Sequence, residues 1–92
     1  MPSYFGKKFD NALRRLRQQL PLGAPLTVST VPPEKVAGLC GLCWIHEDPV
    51  SFKVEVSRGL SEVAAIDTLI HEYAHFLDHL VNGMESRKHH RN

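Results

Sequence analysis

A chain of 92 residues, 42% hydrophobic and 23% charged with a formal net charge of +1, suffices for one small soluble domain (1–92) and excludes two. No run of about 18 apolar residues is present to span a bilayer, and the N-terminus MPSYFGKKFD lacks the apolar stretch and cleavage site of a secretory signal, so a cytoplasmic protein without a membrane partner is expected. The two cysteines, Cys40 and Cys43, are too few for a disulfide framework, which leaves a bound metal as the other way to reinforce so thin a core.

From Tyr4 to Leu20, Phe5, Phe9, Leu13, Leu16 and Leu20 recur at spacings of four and three, the stripe of an amphipathic helix, which Pro21 and Gly23 end. Residues 1–20 also hold Lys7, Lys8, Arg14, Arg15 and Arg17 against the single acid Asp10. A basic helical face of this kind can meet nucleic acid or a membrane surface, but is more commonly a solvated exterior, and DNA is kept as the minor option. Leu26–Val31 alternates as a strand between Pro25 and Pro32-Pro33, and residues 34–46, with Gly38 and Gly41, predict a loop entering a short strand at 42–45.

After the Asp48-Pro49 turn, Phe52, Val54 and Val56 alternate with Lys53, Glu55 and Ser57, the pattern of a half-buried antiparallel strand. It is either an ordinary core strand or the sheet edge beside a cleft, where an extended peptide adds as a further strand. Ser61 is a good N-cap for the next helix, Glu62 complements its dipole, and the helix is expected to run to about Val81. Residues 84–92 form a polar, basic tail. The fold class is therefore α+β: an N-terminal helix, a small, mainly antiparallel sheet, and a final helix packed on that sheet.

That last helix contains His71-Glu72-Tyr73-Ala74-His75, an HExxH motif. At 3.6 residues per turn, His71 and His75 stand on one face and can share one metal ion, while Glu72 lies about 100° round from His71. This suits Glu72 to act as a general base on water activated by the metal rather than as a further ligand. Val63, Ile66, Leu69, Ile70, Tyr73, Phe76, Leu77 and Leu80 predict a buried arc, with Ala64, Asp67, Thr68, His71, His75, Asp78 and His79 on the open one. Two histidines that merely decorate a solvated helix would also lie there. Tyr73 is assigned to the core, and His79 to solvent.

Catalytic Zn²⁺ requires three protein ligands and an open position. Asp78 and Val81 stand where HExxHxxGxxH needs glycine and histidine, and Glu85 follows the motif at short spacing. His90, or His89, fourteen or fifteen residues beyond His75 with Gly83 to turn the chain, is the expected third ligand. Asp67 or Asp78 is a candidate acceptor for a ligand imidazole, or simple surface charge. Cys40-Gly-Leu-Cys43 has no second CxxC and no βαβ context, so it is assigned no site and taken as ordinary buried or semi-buried thiols.

The strand SFKVEVS, a short turn and the helix DTLIHEYAHFLDH resemble the SprT-like and related phage or bacterial zinc metallopeptidases of the zincin fold, over about residues 39–90. The resemblance implies a small sheet on the active helix, a downstream histidine as third zinc ligand, and hydrolysis of a peptide or protein substrate. It also implies a helix beyond that histidine. The chain has none up to Asn92, so a truncated product, a minimal domain or a fragment completed by a partner is expected. A non-catalytic zinc-binding module engaging DNA or a protein partner is the alternative, and a DNA-associated protease would combine the two.

Overall fold

A computed structural model describes residues 4–82. The elements are helix α1 (Lys7–Gln19), strand β1 (Leu26–Val31), a 3-10 turn (Pro33–Val36), strands β2 (Gly41–Glu47) and β3 (Val50–Ser57), and helix α2 (Glu62–Asn82). The chain is α+β, as expected from its sequence. Strand β2 begins before the predicted boundary and ends after it, and a 3-10 turn forms where a loop was expected. Among the described residues no helix is long and apolar enough to cross a membrane.

The sheet is mixed rather than mainly antiparallel, with order β1-β3-β2. A two-residue connection, Asp48-Pro49 with a cis peptide bond, joins β2 and β3 as a hairpin in which Glu47 faces Val50. Strand β1 pairs with β3 instead of with its sequence neighbour β2, in register from Leu26↔Phe52 to Val31↔Ser57. The chain reverses once between β1 and β2 and again at the hairpin, and two reversals leave β1 and β3 parallel. This makes β3 the central strand, so Phe52–Ser57 is not the sheet edge; β2 and β1 are the edges.

Alternation along β3 turns Phe52, Val54 and Val56 to one face, where all three are buried. Leu26 and Val28 from β1 and Cys43 and Ile45 from β2 pack on the same core, which Phe9, Ala65, Leu69, Tyr73 and Phe76 complete from the helices. The rings of Phe52 and Phe76 lie with centroids 4.7 Å apart. Buried apolar area of this kind supplies most of the drive to fold, about 25 cal/mol per Å².

Helix α1 is held at both ends by α2. Its N-terminus has no side-chain cap of its own, and the Phe9 backbone N–H donates instead to Glu62 Oε2 at 3.1 Å. Gly6, at φ +105, lets the chain turn into the helix beside that carboxylate through a backbone conformation that residues with a Cβ rarely adopt. At the other end the Tyr73 hydroxyl donates to the carbonyl of Leu20 (2.7 Å), the C-cap residue, and to that of Leu16 (3.2 Å), which also accepts from the Leu20 N–H at 2.8 Å. The expected stripe is otherwise observed, with Phe9 buried and Phe5, Leu13 and Leu16 against the core; Leu20 is exposed. Lys7, Lys8, Arg14, Arg15 and Arg17 are all exposed, on the outer side of α1.

Ser61 caps α2 as its sequence position suggests: its Oγ accepts from the Ala64 N–H at 3.2 Å. The helix nevertheless lies rotated from the expected orientation. Its buried line is Ala65, Leu69, Tyr73, Phe76 and His79, whereas Val63, Ile70, Leu80 and Val81 are exposed. The apolar arc is wider than the sheet and α1 can cover, so its far margin stays in solvent. The near margin of the histidine arc is drawn inward.

Candidate metal centre

The HExxH turn of α2 faces the start of β2. Within it the Nε2 atoms of His71 and His75 approach to 3.0 Å, with the rings nearly perpendicular at 83°. Two imidazoles bound tetrahedrally to one zinc at 2.0–2.1 Å would hold their nitrogens about 3.3 Å apart. The pair therefore already has nearly the spacing of a chelate, and without a cation the same contact is a hydrogen bond between the two rings, its donor set by the tautomer. His71 is exposed and His75 and Glu72 are half-buried, so the site opens to solvent while α2 is anchored below it.

The opposite wall comes from β2. His71, Glu72 and His75 line a cavity of about 220 Å³ with Leu39, Gly41, Leu42 and Cys43. A shallower groove of about 470 Å³ continues from it past Cys40, Asp67 and Thr68. The two share Leu39, Gly41, His71 and Glu72, so one cleft follows α2 along the edge strand. Gly41 allows that close approach: a Cβ there would sit 2.7 Å from the Glu55 carbonyl oxygen and 3.0 Å from the Thr68 methyl.

Cys43 is the residue that the sequence reasoning left without a role. In the β2–β3 ladder it is opposite Val54, and directly paired residues point to the same face, so its side chain is turned toward α2. Its thiol is pushed up to about 12, first by burial and then by its hydrogen bond to the Glu72 carboxylate and the charge of that group. At neutral pH it is a protonated donor. The alternation of GLCWIHE, with Gly41, Cys43 and Ile45 on one face, was the signal for this placement. Cys40, by contrast, is exposed rather than buried or semi-buried, at the rim of the groove.

His79 does not go to solvent, as its position in the helix had suggested. It is 8% exposed, with Nε2 3.5 Å from Glu47 Oε2 and its ring edge-on to Phe52. It stays outside the cavity, because the rotation of α2 carries position 79 beneath the helix. Tyr73 is a core residue as expected. Of the candidate acceptors for a ligand imidazole, Asp67 lines the groove beside His71, and Asp78 accepts a hydrogen bond from Asn82 Nδ2.

His89 and His90, the expected third ligands, and Glu85 lie outside the described residues. Among the described residues no three His, Cys, Asp or Glu side chains are grouped so as to hold a metal ion. The donor set fits two of the three protein ligands of a catalytic zinc site: two imidazoles on one helical face, with Glu72 one residue along. Comparison with protein-family models, with curated proteins and with solved structures finds no match.

Proposed function

We propose that this chain is a zinc-dependent metallopeptidase of the zincin type, in which His71 and His75, with His90 or His89 from the tail, hold the metal and Glu72 is the catalytic base. The 3.0 Å approach of the two Nε2 atoms supports this reading, since it brings two ring nitrogens to one point beside an open cleft. Zinc bound there supplies Lewis acidity, acidifying water and polarising a carbonyl. Glu72 takes the proton from the attacking water and delivers it to the amide nitrogen as the peptide bond breaks. The cleft along β2 accommodates an extended segment of a protein substrate, with one open strand edge on its wall.

The deciding experiment is zinc stoichiometry of the full chain beside His75→Ala and His89→Ala/His90→Ala, followed by hydrolysis of labelled casein by wild type and Glu72→Gln. One zinc per chain, lost in both histidine variants, is the expected result. Hydrolysis should fall about 10²- to 10⁴-fold in Glu72→Gln with zinc retained. No zinc in the wild type after reconstitution at neutral pH overturns the proposal.

The exposed cations of α1 favour a second reading, a zinc-stabilised module that docks on DNA. Zinc without hydrolysis, together with DNA affinity that falls steeply with salt, would select it.

A further inference from the structure

Among the described residues that line the cavity with His71, Glu72 and His75, one polar side chain, Cys43, is used by neither the metal nor the proton transfer. Cys43 stands in β2 directly across from Glu72, and both line the cavity that His71 and His75 open into. Its position is imposed twice: by the ladder, which pairs it with Val54, and by Gly41 two residues earlier, which lets β2 approach α2.

We infer that Cys43 is a positioning residue for Glu72, its thiol donating a hydrogen bond to one carboxylate oxygen and leaving the other to face the water that is attacked. This rests on the peptidase reading. A glutamate has three rotatable bonds before its carboxylate, and a general base is effective only when aimed at the proton it removes. A thiol suits the task because it has a single proton to donate.

Two measurements test this, one of which needs no turnover. In a Cys40→Ser background, iodoacetamide should label Cys43 slowly at pH 8, and Glu72→Gln should raise the rate at least about threefold, as removing the carboxylate eases thiolate formation. An unchanged rate overturns the thiol–carboxylate pair. In the casein assay, at matched zinc content, Cys43→Ala should lower kcat about five- to tenfold with KM unchanged, and Cys43→Ser, which restores a donor, should recover to within about twofold of wild type. Wild-type kcat in Cys43→Ala, or equal loss in both variants, overturns the positioning role. A wild-type chain that holds zinc but cleaves nothing overturns the peptidase reading instead, and labelling alone then decides whether the pair exists.

Discussion

The hydroxyl of Tyr73 donates to the carbonyl oxygen of Leu20 at 2.7 Å, and eleven residues earlier in each helix Glu62 accepts from the Phe9 N–H at 3.1 Å. The two contacts are separated by the same interval along both helices, 73 − 62 and 20 − 9, or about 16 Å at 1.5 Å per residue. Helices α1 and α2 therefore run in the same direction, and α2, the longer of the two, bonds to both ends of α1. Tyr73 lies inside the HExxH motif, between Glu72 and His75, so the contact that closes α1 also sets the rotation of the metal-binding turn.

Tyr73→Phe removes the donor while keeping the ring, and should cost about 1–2 kcal/mol. For a domain of this size that is a fall in Tm of roughly 4–8 °C per kcal/mol, readable by thermal denaturation. Glu62→Gln, which weakens the other end by removing a charge-assisted acceptor, should cost about 0.5–1 kcal/mol.

Stability should decline in alkali. Burial raises the Tyr73 hydroxyl above its ordinary value near 10, only partly opposed by the nearby Arg17 cation, and burial with Glu72 raises Cys43 from near 9 to about 12. A raised folded-state value means the protonated form is favoured by folding, so the stabilisation is complete below the unfolded values and is lost as pH rises toward the folded ones. Urea midpoints should be level from pH 7 to 8.5 and fall from about pH 9 upward, with a smaller fall in both Tyr73→Phe and Cys43→Ala. A flat profile to pH 11 would contradict this assignment.

Gly41→Ala places a methyl against the Glu55 carbonyl at 2.7 Å and against the Thr68 methyl at 3.0 Å. The carbonyl belongs to the sheet and cannot swing aside, so a loss of about 1–3 kcal/mol is expected. Adding Thr68→Ser should recover only part of it. Zinc affinity should weaken along with stability, since β2 forms the wall opposite His71 and His75.

His79→Leu should be neutral or stabilising by up to about 1 kcal/mol, unlike most core substitutions. Among the described residues the buried Nδ1 of His79 has no hydrogen-bond partner, and Glu47 is 43% exposed and can turn to water. Zinc stoichiometry should be unchanged in this variant, in contrast to His75→Ala, because His79 lies outside the cavity.

Local rules were sufficient wherever one element's own pattern decided the outcome. The α+β class, the two helices, the span Leu26–Val31, the inward set Phe52, Val54 and Val56, and the Ser61 cap were legible because spacing and capping act within a few residues. The shared face of His71 and His75 was legible for the same reason: a separation of four in a helix is a geometric fact about α2 alone. Other features required knowing what each element packs against. The parallel pairing of β1 with β3, and so which strand is central, depends on which edge of the hairpin β1 reaches, and no local residue pattern encodes that choice. The rotation of α2, which buries His79 and exposes Ile70, is set by competition among the sheet, α1 and the Tyr73 hydroxyl for one helix surface. Cys43 meets Glu72 for a tertiary reason too, since residues 29 apart in sequence come together only when the hairpin, Gly41 and α2 are assembled. The sequence by itself determined the chemistry available to the site; tertiary packing decided which face of it opens to solvent and which thiol stands beside its carboxylate, because side-chain orientation between elements is fixed by long-range burial rather than by neighbours along the chain.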